Sequence, residues 1–169
     1  MEQLATEMII HSDNTATNIL IDQVGGIEVV NQTIQKLGYK QSKIQRKMMD
    51  FASIEAGFDN WVDVAEIGDL LGRLYHKKLV SAKLDQVMLT ILAKQTDHAN
   101  LEAKLPSTYQ LYNKSGQNAQ YGIRNDALLA VSEQGVYVVV VLSQNGDDGV
   151  QKAAMQAFGS AVNDLILLP

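Results

Sequence analysis

The 169 residues predict an α+β fold: a helical block, then an antiparallel sheet of three strands, then a closing helix. Three observations carry this expectation. Apolar residues recur at three- and four-residue spacing through the first two-thirds of the chain. After Pro106 the pattern changes to short extended apolar runs, and the last stretch returns to a helical stripe behind two aspartates. Residues 1–104 therefore read as mainly helical and 105–169 as strands plus helix, within one domain spanning 1–169.

Taken in order, Leu4, Met8 and Ile9 share a face of a first helix that breaks at His11-Ser12-Asp13-Asn14. Thr15 to Val24 reads as a second helix stopped by Gly25-Gly26, and Ile27, Val30, Ile34 and Leu37 mark a third, stopped by Gly38. Tyr39 to Asn60 has no sustained period and reads as a long irregular loop with one turn of helix, of a length that is usually either functional or disordered. Val64, Ile67, Leu70, Leu71 and Leu74 mark an amphipathic helix, and Leu84, Val87, Met88, Ile91 and Leu92 another. Tyr109 to Asn113, Arg124 to Ser132 and Val136 to Ser143 read as strands. Val136 to Leu142 is apolar on both faces, which predicts a central strand covered on both sides. Asp147 and Asp148 suit the start of the last helix, whose Val150, Ala154, Phe158, Ala161 and Leu165 predict one stripe laid on the sheet.

Composition excludes several functions. Fourteen Lys and Arg against nineteen Asp and Glu give a net charge of -5, which disfavours a nucleic-acid footprint or a polybasic membrane patch. The absence of Cys removes disulfides, thiolate metal sites and thiol nucleophiles. No apolar run reaches the ~18 residues of a membrane span, and no signal peptide opens the sequence. His11, His76 and His98 lack metal-ligand spacing, and no glycine cluster has a phosphate-cradling pattern, so no metal or cofactor is expected.

Two short segments carry chemistry. Ser12-Asp13-Asn14 places a hydroxyl, a carboxylate and an amide in a loop between helices, where helix capping is the simplest account. Lys114-Ser115-Gly116 ends the first predicted strand, where a terminus with a turn glycine is the simplest account. Together, in this order and about a hundred residues apart, they resemble the second and third motifs of the penicillin-recognising serine hydrolases, which include class A β-lactamases and D-alanyl-D-alanine peptidases. Thr15-Ala16-Thr17-Asn18, Gly25-Gly26, Leu105-Pro106 and Tyr121-Gly122-Ile123-Arg124-Asn125-Asp126 extend the likeness over the whole chain, as the C-terminal two-thirds of such a protein.

The resemblance implies roles. Ser12 would relay a proton to the leaving nitrogen, Asn14 would hold the substrate amide, and Asp13 would tie down its loop. Lys114 would stabilise negative groups in the cleft, Ser115 would bind the substrate carboxylate, and Gly116 would have a structural part. The Gln117 backbone N–H would serve as an oxyanion donor, and Arg124 would add a carboxylate-binding fork, against the simpler reading of a solvated strand charge.

Two departures qualify the likeness. The family nucleophile is the Ser of S-x-x-K, and no S-x-x-K occurs among the 169 residues; Thr33-Ile34-Gln35-Lys36 has the spacing but sits within a predicted helix after the loop. The Arg-x-Glu of the irregular loop is Arg46-Lys47-Met48 here, and a thioether cannot act as a general base; Asp50 and Glu55 are displaced and read as solvated.

The expectation is therefore a β-lactamase-like hydrolase represented without its nucleophile and inactive alone, with a β-lactam or D-Ala-D-Ala peptide as ligand. A peptidase or penicillin-binding parent, or a non-catalytic ligand-binding or assembly module, stands as the alternative. The resemblance also implies that the Val136–Leu142 strand would pair with a strand from the family's N-terminal part. With no Pro or charge inside it, this edge predicts self-association. A complete parent would be extracytoplasmic.

Overall fold

The computed structural model describes residues 1–166 and separates into two compact units, Met1–Glu66 and a second that begins at Ile67. The first holds α1 (Glu2–Ile10), α2 (Asn14–Gln23), α3 (Ile27–Lys36) and the short α4 (Phe51–Glu55). Gly25 and Gly26, at φ +106° and +97°, make the tight link between α2 and α3 in a region closed to most side chains.

The segment between α3 and the next helix is irregular, as its lack of period predicts, but it is held firmly by side chains. Asn31 accepts from Ile44 N–H (2.8 Å) and donates to Ile44 C=O (2.7 Å). Asn60 Oδ1 accepts from the Gln45 and Arg46 amides at 2.9 and 3.1 Å. Lys43 and Trp61 exchange both backbone hydrogen bonds at 2.9 Å. Although burial pushes the Glu66 carboxyl upward, the amides of Gln41, Lys40 and Ser42 and the Ser42 hydroxyl hold it at about 2. Glu66 lies in α5 (Val64–Tyr75), the helix in which the division between the two units falls.

The second unit continues through α6 (Ala82–Leu92), β1 (Gln110–Asn118), β2 (Ile123–Ser132), β3 (Gly135–Ser143) and α7 (Asp148–Ile166). The sheet is antiparallel in the order β1-β2-β3, with Ser115 opposite Asp126 and Gln117 opposite Arg124. Its core joins Leu128 and Ala130 of β2 to Leu101 and to Met155 of α7. The α+β class and the three-stranded meander stand as the sequence predicts. No helix among the described residues is long and apolar enough to cross a membrane.

Three local expectations need correction. The central strand is β2, where Leu128, Leu129 and Ala130 are at most 1% exposed, whereas β3 is an edge strand in this sheet. In α6, Leu84 is 51% exposed and Asp85 is fully buried. Asp85 is turned inward to accept from the Leu79, Val80 and Ser81 amides, which ties the preceding turn to the helix. In α7 the expected stripe faces solvent: Val150, Phe158 and Leu165 are among the most exposed apolar side chains. The inner face is instead Met155, Gly159 and Asn163, because at Gly159 the helix approaches the Leu101 carbonyl too closely for a side chain.

Candidate functional site

In the first unit, the turn from α1 to α2 carries Ser12, Asp13 and Asn14. Asp13 is the N-cap of α2: its Oδ1 accepts from the Ala16 amide at 2.6 Å, and its carbonyl accepts from the Thr17 hydroxyl at 2.8 Å. Capping thus accounts for Asp13 alone. Ser12 sits at φ +52°, in the left-handed region that a non-glycine residue adopts at a cost of about 1 kcal/mol. Asn14 begins the helix, and both residues are exposed.

Four residues into α2, Asn18 binds both backbone groups of Met48, accepting from its amide (2.8 Å) and donating to its carbonyl (3.1 Å). Lys47 pairs with Asp22 at 2.7 Å and Arg46 with Asp59 at 2.8 Å. The loop beside the motif is therefore fixed by the helix that carries the motif. Asp50 is not simply solvated, as the sequence suggests; it caps α4, and hydrogen bonds from the Ser53 hydroxyl and amide lower its pKa. A carboxylate so engaged is a poor proton acceptor.

In the second unit, Lys114-Ser115-Gly116-Gln117 lies within β1 rather than at its end, and β1 pairs on one side only. Gly116 and Gln117 are exposed. Burial lowers the Lys114 pKa against the opposing charges of Asp97 and Asp126, and its Nζ donates to the Ser115 carbonyl at 2.6 Å. The Ser115 hydroxyl donates to Asp97 Oδ2 at 2.7 Å.

Arg124 is not a solvated strand charge. It is 6% exposed, with Nε and Nη2 donating to Asp148 Oδ1 (3.0 and 2.6 Å) and Nη1 to Asn100 Oδ1 (2.8 Å). Sequence reasoning missed Asp97, Asn100 and Asp148, although an acidic residue at the start of α7 was visible as a dipole partner. It also missed Glu102 and Asp126, which are 3% and 1% exposed. Burial and the Asp126 charge push the Glu102 carboxyl up to about 8, and burial raises Asp126 as well, so both carboxyls resist ionisation.

Helices followed by an antiparallel meander and a closing helix, with a strained Ser-Asp-Asn turn in one unit and Lys-Ser-Gly on an edge strand in the other, define a protein of the serine β-lactamase type. The profile of the β-lactamase enzyme family matches residues 1–166, and the chain belongs to that family. It is 28% identical over 158 residues to β-lactamase AER-1 of Aeromonas hydrophila, covering 90% of this chain and 49% of that protein. The crystal structure of a β-lactamase from Sphaerobacter thermophilus superposes at a TM-score of 0.87 with 28% identity, covering 99% of this chain and 64% of that one. A representative class A β-lactamase from Bacteroides cellulosilyticus shares the fold at 0.79 and 24% identity, covering 96% and 62%. The chain spans about half the length of the curated relatives it matches.

Proposed function

We propose that this chain supplies the recognition and proton-relay residues of a β-lactam-binding serine hydrolase site. Ser12 relays a proton to the departing nitrogen and Asn14 holds the ligand amide. Lys114 stabilises the anion that develops, Ser115 receives the ligand carboxylate, and the Gln117 amide contributes one oxyanion donor. Asp13 fixes the first turn and Gly116 keeps the strand edge open. Arg124, oriented by Asp148 and Asn100, adds a carboxylate-binding fork through its remaining N–H groups.

The observation that carries the reading is the Ser12 backbone. A hydroxyl residue held in the left-handed region, next to a separate residue that already caps the helix, is unexplained by capping but suits a positioned polar group. Family membership supports the ligand class.

The 169 residues contain no S-x-x-K, so the chain alone forms no acyl-enzyme. Purified chain mixed with a chromogenic cephalosporin is expected to show no turnover, and intact mass spectrometry with benzylpenicillin no added penicilloyl group. A stoichiometric adduct would overturn this part of the reading.

Met48, together with the capping role of Asp50, favours a second reading: a parent that binds penicillin or D-Ala-D-Ala peptides without rapid deacylation. The complete protein would act outside the cytoplasm. The unpaired edge of β3 and the exposed apolar stripe of α7 support self-association of this chain.

A further inference from the structure

The Ser115 hydroxyl, the group proposed to receive a ligand carboxylate, already donates to a carboxylate of the protein, that of Asp97 at 2.7 Å. Asp97 is positioned by two buried amides. Gln95, 5% exposed, accepts from the Thr96 and Asp97 amides through Oε1 at 2.9 and 3.0 Å, which folds the chain tightly at this point. Asn113, 1% exposed and two residues before Ser115 on β1, donates to the Asp97 carbonyl at 2.9 Å. The same strand that presents Ser115 therefore holds the backbone of the residue that binds it. Asp97 itself is exposed, so its carboxylate is open to solvent.

We propose that Asp97 is a specificity-determining residue: an internal carboxylate seated on Ser115 that a ligand carboxylate must displace, and whose charge disfavours anionic ligands at Lys114-Ser115. The proposal rests on the reading of Ser115 given above and deepens it. An arriving carboxylate meets both an occupied donor and a like charge, whereas a neutral ligand meets only the occupied donor. The strand edge thereby selects against the carboxylate common to penicillins and peptide C-termini, and in favour of esters and amides of the same shape.

The experiment compares benzylpenicillin with its methyl ester by calorimetric or NMR titration. It uses the whole chain, Asp97→Asn, Asp97→Ala and Ser115→Ala, each checked for an unchanged thermal transition. Asp97→Asn removes the charge and Asp97→Ala also frees the hydroxyl, so benzylpenicillin is expected to bind about tenfold more tightly to both, with the ester unchanged in Asp97→Asn. Equal benzylpenicillin affinity in the parent and both Asp97 variants, with weakening by Ser115→Ala, overturns the role of Asp97 and leaves the role of Ser115 standing. Equal affinity in all four overturns both.

Discussion

Ionisable residues in the second unit work against one another at short range, and this has a measurable signature. Glu102 holds its proton to about pH 8 when folded, against an ordinary value of 4.5. Between those values the folded chain binds more protons than the unfolded one. Stability therefore falls as pH rises from about 4.5 to about 8, and is level above that. The carboxylates whose values are lowered, Glu66 at about 2 among them, lose their contribution as pH falls from about 4.5 toward those low values, on the acid side of the Glu102 window. Urea midpoints at pH 5 and pH 8 are expected to differ clearly for the parent and much less for Glu102→Gln; an identical pH dependence in the two proteins would contradict the raised Glu102 carboxyl. The pair was invisible in the sequence, because nothing in the spacing of Glu102 and Asp126 shows that burial brings them together. Ser12, Asp13, Asn14, Lys114 and Ser115 stood out in the sequence as candidates, because each belongs to a short run of polar residue types. The partners that occupy Ser115 and Arg124 come from distant segments and did not.

At the scale of the element, helices were placed well and their faces less so. The periods of α3 and α5 announced both helices, and Leu71 and Leu74 are buried as the spacing requires. In α6 and α7 the face is set by a residue that a hydrophobicity pattern counts as polar or absent. Asp85 turns inward to serve three amides, and Gly159 lets α7 press on the Leu101 backbone. The second case gives a paired prediction. Gly159→Ala places a methyl group against the Leu101 carbonyl, which cannot yield without moving the core, and is expected to cost about 3 kcal/mol. Gly72→Ala in α5 meets nothing within 4 Å and is expected to stabilise by about 1 kcal/mol through helix propensity. Denaturant unfolding of the two variants checks both signs, and similar effects from both would contradict the close approach of α7.

For the whole molecule, the order helices, meander, helix was readable because helical spacing gives way after Pro106 to short extended apolar runs and returns in the last stretch. The position of β3 was not, because an apolar strand reads as central whether its neighbour lies in these residues or elsewhere. Its open edge, with Val136 44% exposed, and the outward stripe of α7, with Phe158 49% exposed, predict association of copies at micromolar concentration. Light scattering after size exclusion is expected to show oligomers, reduced by Val136→Lys or Phe158→Lys; a monomeric parent would contradict it. The central claim is that the Lys114–Gln117 edge of β1 recognises a β-lactam without reacting with it. Amide NMR during titration with benzylpenicillin tests this most directly. The account predicts reversible shifts on Ser115, Gly116 and Gln117, with a dissociation constant of about 1 mM, near -4 kcal/mol. Shifts elsewhere with none on β1, or slow irreversible loss of the free signals, would contradict it.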